Sequence, residues 1–351
     1  MLTAVVKTKH RQAVASIVCA LVIIGGMAVT AGAPGASAAR VAGASARPSP
    51  TLYVANSGTN TVTPISTATD KAEKPIRVGA HPQVIAITPD GKKAYVGSGG
   101  TLVTTNAVTP IATASNRAGR PIRFGAVFPY AIAITPNGRT AYVVGDASVQ
   151  LAGVTPITVA TNKIGPVIST GGDTLGAIAI PPNGMKAFVL NFGSGTVTPI
   201  TIATLKPGKP IKVGRQPVAI AITPNGKTAY VANAGSGTVT PIATATNRPG
   251  RPIALAGERP TALAITPNGT TVYVVNTLSG TVTPIAAATN HAGRPIAVGR
   301  GPDAIAITPN GKTEYVASYD AGTVTPITVA TNRPSRPIKV GKDPLALAMT
   351  P

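Results

Sequence analysis

The stretch IAITPNGKTAYVAN at residues 220–233 decides the fold. It begins within Ala219–Ile222, a continuous apolar run in which small and large residues alternate, as in a strand that is covered on both faces. Pro224–Lys227 then supplies a tight turn, with glycine where the backbone needs a positive φ. Tyr230–Asn233 is the return strand, so the stretch predicts a β-hairpin.

The same pattern occurs seven times along the 351 residues. A VTPI segment and a P-I-x-V-G segment, or variants of them, follow each hairpin and predict a third and a fourth strand. Four strands at this period predict an all-β fold, a seven-bladed β-propeller of four-stranded antiparallel blades. The aromatic residue of the return strand marks each copy, at intervals of 42 to 47 residues: Tyr53, Tyr95, Tyr142, Phe188, Tyr230, Tyr273 and Tyr315.

The order of the segments predicts how the ring closes. The first copy starts with its second strand, and the chain ends on a lone inner strand around Leu345–Met349. We therefore expect the C-terminal strand to join the N-terminal blade and leave no open seam. The proline inside every third strand cannot donate to the ladder, so we also expect a bulge or a lost rung there.

The first 38 residues have the features of a secretory signal peptide. Lys7, Lys9 and Arg11 precede an apolar run, and the A-x-A pattern at 36–38 suits cleavage after Ala38. A retained membrane anchor is the alternative. Cleavage would remove the only cysteine, Cys19, and leave a flexible linker at 39–50 before the propeller at 51–351. We expect a secreted or cell-wall-associated protein.

The repeats resemble a known family. Tyr-Val-Ala-Asn at 53–56 and 230–233, together with the stretch at 220–233, is similar to the YVTN β-propeller repeats of bacterial surface and periplasmic proteins. The resemblance covers about residues 50–351. It implies the propeller fold and export, and it implies no particular reaction, because such scaffolds have many uses.

The net charge of +21 comes from 31 lysines and arginines against 10 acidic residues. In a four-stranded blade, the turn after the first strand and the turn after the third strand lie on one face, which we call the turn face. We expect this face to collect the positive charge and to dock on anionic wall polymers or lipid head groups. A protein partner is also possible, and the alternative is that these cations only solubilise the protein and protect its outer strands. The residues expected to bind the anionic surface are Lys92, Arg117, Arg120, Arg139, Lys206, Lys209, Lys227, Arg248, Arg251, Arg294, Lys312, Arg333 and Arg336.

Nucleic acid and membrane are two further classes of partner for a basic protein. Nucleic acid is disfavoured because the repeated tyrosines begin buried strands and leave almost no aromatic residue on the basic surface for base stacking. Peripheral contact with a membrane remains open, and we expect a monomer.

The opposite face, which we call the crossover face, carries the turns after the second strands and the connections between blades. Its residues do not repeat, and pockets of propellers form where such connections converge on the central channel. A lactonase-like or lyase-like enzyme with a small-molecule site here is the alternative to a binding module. Ordinary loop polarity is the competing explanation, and we assign no catalytic residue, metal or cofactor. The candidate ligand-binding residues are His81, Tyr130, Arg259, Asp303 and Asp343.

Overall fold

Seven antiparallel sheets, arranged as the blades of a propeller, make up the computed structural model of this chain. The structure describes residues 49–99, 106–125, 127–146, 153–170, 175–256 and 259–351. The predicted signal peptide and most of the predicted linker lie outside these residues. No helix within the described ranges is long and apolar enough to cross a membrane.

The strands of each blade follow one another in the sequence. Blade 1 contains β1 (Thr51–Asn56), β2 (Thr61–Ser66), β3 (Lys71–Ala72) and β4 (Ile76–Arg77), with a 3-10 turn at Ser57–Thr59. Blade 2 contains β5 (Pro82–Ile87), β6 (Lys93–Ser98), β7 (Asn106–Ala112), β8 (Arg117–Ala118) and β9 (Ile122–Gly125). Blade 3 contains β10 (Phe128–Ile134), β11 (Thr140–Asp146), β12 (Gly153–Thr158), β13 (Lys163–Ile164) and β14 (Ile168–Ser169). Blade 4 contains β15 (Leu175–Ala179), β16 (Lys186–Asn191), β17 (Thr196–Thr201), β18 (Lys206–Pro207) and β19 (Ile211–Lys212).

The remaining blades repeat this order. Blade 5 contains β20 (Pro217–Ile222), β21 (Thr228–Asn233), β22 (Thr238–Ala243), β23 (Arg248–Pro249) and β24 (Ile253–Ala254). Blade 6 contains β25 (Pro260–Ile265), β26 (Thr271–Asn276), β27 (Thr281–Ala286), β28 (His291–Ala292) and β29 (Ile296–Ala297). Blade 7 contains β30 (Pro302–Ile307), β31 (Thr313–Ser318), β32 (Thr323–Thr328), β33 (Arg333–Pro334) and β34 (Ile338–Lys339). The last strand, β35 (Pro344–Met349), belongs to blade 1.

The ring closes as the sequence predicts. β35 pairs antiparallel with β1, with Met349 opposite Leu52, and it packs between the inner strands β30 and β5. At this seam the Tyr315 hydroxyl of blade 7 lies 2.6 Å from Asp70 Oδ1 of blade 1. The equivalent bond between blades 5 and 6 joins the Tyr230 hydroxyl to Asn290 Oδ1 at 2.9 Å. The seam therefore has the same kind of polar contact as an ordinary blade interface.

The core lies between the blades. The large buried side chains include Tyr53, Tyr230 and Ile85, all of them almost fully excluded from solvent. One apolar cluster combines residues of blades 7, 1 and 2. Because both faces of each inner strand are covered in this way, the continuous apolar runs of the sequence are explained.

The outermost strand differs from the expectation. In every blade it is split into two short strands that both pair with the third strand, so each sheet has five strands. In blade 5 the interruption lies opposite Pro241, whose carbonyl accepts a hydrogen bond of 2.7 Å from the Gly250 N–H. The ladder between β21 and β22 stays in register through Pro241. The rung that proline cannot form is therefore lost on the outer side, and no bulge occurs in the third strand.

Candidate functional site

A backbone motif at the start of five inner strands, β5, β20, β25, β30 and β35, shapes the crossover face. The residue before the strand's first proline adopts a left-handed conformation there, with φ of 49° at His81, 54° at Arg259 and 56° at Asp343. The residue after the proline then bulges, since the pairing with the second strand skips one residue there. In blade 7 Pro302 pairs with Ser318 and Ala304 pairs with Ala317, so Asp303 is the bulged residue. Bulges of this kind re-aim a side chain next to binding sites.

Asp303 is the most perturbed acid of this face. It is only 5% exposed, and its Oδ1 lies 3.2 Å from the Thr277 hydroxyl of blade 6. That hydroxyl also lies 2.8 Å from the Pro302 carbonyl and 2.7 Å from the Thr261 hydroxyl. Burial raises the pKa of Asp303 to about 6, although the Thr277 hydrogen bond and the positive charge of Arg259 both favour the charged form.

Three carboxylates influence Tyr319 through their charge. Burial raises the pKa of Tyr319, and the charges of Asp343, Asp303 and Asp320 raise it further. Gly301 lies against the Asp320 side chain, because a Cβ atom there would come within 2.5 Å of Asp320 Oδ2. The left-handed φ of 60° at Gly301 also favours glycine. No cluster of three or more possible metal ligands is found within the described residues.

The five candidate residues divide into two groups. Arg259, Asp303 and Asp343 come from the consecutive blades 6, 7 and 1, and the first two interact electrostatically. His81 precedes the inner strand of blade 2, where it is exposed and its N–H donates to Asn60 Oδ1 at 2.8 Å. Tyr130 belongs to blade 3, with its ring centre 5.1 Å from that of Phe128. The structure therefore brings Arg259 and Asp303 together across the interface of blades 6 and 7, and a ligand site formed by the five residues stays a prediction.

Sequence reasoning missed Thr277, which holds the Asp303 side chain. Thr277 directly follows the return strand β26, and the equivalent residues of the other copies include Ser57, Phe192 and Tyr319. This position therefore fails to repeat, in the same way as the first positions of the inner strands. That signal was available in the sequence.

The basic residues form a second candidate site on the outer edge of the propeller. In blade 1 Lys71 pairs with Ser66 at the end of β2, whereas Arg77 pairs with Thr61 at its beginning. Lys74 lies between them, next to the break in the outer strand, and all three are exposed. The cations thus form a row across the thickness of the blade. We call such rows the edge rows; their lysines and arginines are Lys71, Lys74, Arg77, Arg117, Arg120, Arg123, Lys163, Lys206, Lys209, Lys212, Arg248, Arg251, Arg294, Arg333, Arg336 and Lys339.

This arrangement corrects the expectation that a single face collects the charge. The segment interpreted as a turn before the fourth strand is the upper half of the outer strand, for example β23 in blade 5. Only the first cation of each row therefore lies beside the turn face, while the second and third lie farther across the edge. The broken outer strand is the physical reason. Because this strand already starts at Arg248 in blade 5, the cations that precede Pro252 belong to the outer edge.

The turn face keeps a smaller basic set from the PNGK-type turns. In blade 5 Asn225 Oδ1 accepts from the Lys227 N–H at 2.9 Å and from the Thr223 hydroxyl at 2.7 Å. This fixes the turn and leaves the Lys227 side chain exposed. Lys186 differs, because its Nζ bonds Asn247 Oδ1 at 3.2 Å in the next blade. The exposed cations of these turns are Lys92, Arg139, Lys227 and Lys312.

Blades 3 and 6 have the sparsest edge rows. In blade 3 Lys163 is the first cation, but Pro166 and Ser169 stand where blade 1 has Lys74 and Arg77, and the exposed Ile164 and Val167 stand where blade 1 has Ala72 and Pro75. In blade 6 the described row has Arg294 as its one lysine or arginine. The outer edge therefore carries an exposed lysine or arginine on every blade and is partly apolar on blade 3.

Solved structures of other proteins show the same fold. A hydrazine synthase of Kuenenia stuttgartiensis is 22% identical, with a TM-score of 0.72 over 80% of this chain and 92% of that chain. A putative 6-phosphogluconolactonase of Bacteroides fragilis is 18% identical, with a TM-score of 0.72 over 88% of this chain and 100% of that one. The periplasmic gluconolactonase PpgL of Pseudomonas aeruginosa is 19% identical, with a TM-score of 0.71 over 86% of this chain and 99% of that one.

These likenesses establish the seven-bladed propeller and nothing about activity, because identities of this size leave the site residues free to differ. No protein-family model and no curated protein matches the chain. Membership of the YVTN repeat family therefore stays a prediction.

Proposed function

We propose that this protein is an exported binding module that docks on anionic polymers or lipid head groups of the cell envelope. The observation that carries the proposal is the set of edge rows, where exposed lysines and arginines occur on all seven blades and two or three of them on five blades. Many cations on a rigid ring add up weak contacts, so affinity rises with the number of contacts and falls steeply with salt. Export is supported by the signal-like residues 1–38.

The single sign of the edge argues for binding over edge protection alone. Glu73 is the one acidic residue in the described outer edge segments that carry these rows, and its carboxylate accepts from Asn116 Nδ2 at 3.1 Å. Protection against strand pairing is achieved equally well by mixed charges, which also keep a surface soluble. When all the side chains of a surface carry positive charge, neighbouring side chains repel one another. A bound polyanion neutralises them and removes that repulsion.

Sedimentation with vesicles and with purified wall polymer tests the proposal. The mature chain is mixed with phosphatidylglycerol vesicles, with neutral vesicles or with the polymer at graded salt. We expect binding to the anionic materials at low salt, with progressive release as salt rises. Retention that does not change with salt, or equal binding to neutral vesicles, contradicts the electrostatic mechanism.

A matched pair of variants locates the contact. Neutralising the edge residues Arg120, Arg251 and Arg336 with glutamine should lower the affinity at least about tenfold. The control neutralises three exposed cations of the crossover face and should bind almost as the wild type does: Arg215, Arg300 and Lys342. Equal losses in the two variants would show that only the net charge matters.

A small-molecule enzyme site at the crossover face is the second candidate function. It is favoured by Asp303, a buried carboxylate whose pKa is raised to about 6 beside Arg259, as in a general acid or base. Lactone hydrolysis is the first reaction to test, since two of the similar structures are named for it. Wild type and Asp303→Asn are assayed on a panel of sugar lactones from pH 5 to pH 8. Turnover by the wild type that is lost in Asp303→Asn supports this function, and no turnover by the wild type refutes it for lactones.

A further inference from the structure

The edge rows of neighbouring blades join end to end. β4, the lower outer strand of blade 1, packs beside β8, the upper outer strand of blade 2. The same contact joins β19 to β23, β24 to β28, β29 to β33 and β34 to β3. The far end of one row thus meets the near end of the next. Together the rows form a zigzag path, which we call the edge track, through blades 4, 5, 6, 7, 1 and 2. Blades 1, 2, 4 and 7 each contribute three cations, blade 5 contributes two, and blade 6 contributes one, Arg294.

The edge track thins at blade 3. Lys163 is the one cation of that described row, because Pro166 and Ser169 stand where blade 1 has Lys74 and Arg77. From Lys206 of blade 4 through blades 5, 6, 7 and 1 to Arg123 of blade 2, strand contacts join each row to the next. A flexible polymer can follow this stretch of joined rows.

The geometry of a single row also favours a chain over a plane. Three residues of extended backbone span about 10 Å, so a full row of three cations spans about 20 Å. Electrostatic interactions are screened over about 8 Å at physiological ionic strength. A flat membrane that touches the circumference of the ring therefore reaches the rows of one or two blades at a time. A flexible chain that follows the edge contacts the cations of all six.

We propose that the edge track binds a linear, flexible, phosphate-rich polymer that lies along the circumference of the propeller. This inference rests on the proposed function, because it specifies which anionic partner the same cations recognise. A polymer without bases fits best, because the described outer strands that carry these cations are rich in Gly and Pro and have no aromatic ring for stacking except Phe124, which is buried. Inorganic polyphosphate is the probe that carries this chemistry alone.

The first test is the dependence on chain length. Tripolyphosphate contacts at most one row, whereas long-chain polyphosphate reaches every row of the track. At equal phosphate concentration and 0.15 M salt, we expect the affinity per chain to rise by more than about a hundredfold from the short to the long form. An affinity per phosphate that is independent of length would overturn the track.

The second test separates the track from the turn face at equal net charge. One variant removes cations at the crossover-face ends of three rows: Arg77→Gln, Lys212→Gln and Lys339→Gln. The other removes three cations of the turn face: Lys92→Gln, Lys227→Gln and Lys312→Gln. All six side chains are exposed, so both variants should keep the wild-type melting temperature, which is measured first. We expect the first variant to lose at least about tenfold in affinity for long polyphosphate and the second to lose less than about threefold.

The outcomes distinguish failure of the edge track from failure of the proposed function. Equal losses in both variants, or a larger loss in the turn-face variant, overturn the track and leave anionic docking in place. Tighter binding to phosphatidylglycerol vesicles than to long polyphosphate, at equal anion concentration, also overturns the track. Tighter binding to a thymidine oligonucleotide of similar length would assign the track to nucleic acid and overturn the choice of polymer. The absence of binding to every one of these anions refutes the proposed function itself.

Discussion

Replacing Glu314 should make the protein more stable at alkaline pH. Glu314 lies on β31, is fully buried, and has no hydrogen-bond partner on either carboxylate oxygen. Desolvation by burial raises its pKa from 4.5 to about 8. The equivalent residues of four other blades are alanines, for example Ala229, so an alanine is compatible with the fold at this position.

The sign follows from which state ionises first. Below about pH 4.5 the carboxyl is protonated in both the folded and the unfolded chain. Between pH 4.5 and about 8 only the unfolded chain gives up the proton, so the free energy of unfolding falls as pH rises. Above about pH 8 both states are charged and the penalty is complete. With 1.36 kcal/mol for each unit of pKa, this penalty amounts to about 5 kcal/mol.

Denaturant unfolding at pH 4 and pH 8.5 measures this difference. We expect the stability gained by Glu314→Ala over the wild type to be larger at pH 8.5 than at pH 4 by about 5 kcal/mol. Glu314→Gln is the control, because it removes the titration but keeps a buried polar group, so its gain should show the same dependence on pH. A difference between wild type and Glu314→Ala that does not change with pH would refute a buried, titrating carboxylate.

Three further predictions concern the ring and its crossover face. Tyr230→Phe should lower the free energy of unfolding by about 1 kcal/mol, since it removes the bond to the next blade. Tyr142→Phe should lower it less in the same denaturant titration, because Tyr142 lies in a cluster with Leu205, at a position where five other blades have asparagine and blade 1 has Asp70. Gly301→Ala should lower the melting temperature more than Gly237→Ala, because both have a left-handed φ but only the first meets a carboxylate; equal shifts would contradict the close approach. Deleting residues 344–351 should expose β1 and cause aggregation in size-exclusion chromatography, whereas a monomeric, cooperatively folding product would show that closure is dispensable.

The number of blades, the hairpins and the closure were predictable because they depend on local patterns that recur seven times. The apolar run of β20, the turn at Asn225 and the return strand β21 each have a periodicity or a turn residue that specifies one structure. The closing pair of β1 and β35 follows from the order of the segments alone.

The outer edge was mispredicted because the first half of the outer strand was interpreted as a turn. The expected fourth strand began at Pro252, yet its upper half, β23, starts at Arg248 and ends at Pro249. A strand of two residues that is interrupted by Gly and Pro is too short to show the alternation of apolar and polar residues that predicts a strand. The position of the cations depends on how the outer strand is split. The sequence therefore predicted that the cations cluster, but it did not predict that they lie along the outer edge.

The site around Asp303 was predictable only in part. The failure of certain positions to repeat singled out Arg259, Asp303 and Asp343 on the crossover face. Whether two such residues interact depends on the bulge after each left-handed residue and on the neighbouring blade. The bond between Thr277 and Asp303 joins residues of two blades, and the sequence pattern holds no information on that contact.

Lysine footprinting on the polymer complex tests the central claim most directly. The mature chain is acetylated with and without long-chain polyphosphate, and modified lysines are quantified by mass spectrometry. We predict that bound polymer protects Lys74, Lys209 and Lys339 on the edge while Lys92 and Lys227 on the turn face stay as reactive as in the free protein. Protection of the turn-face lysines with the edge lysines left reactive would contradict the account.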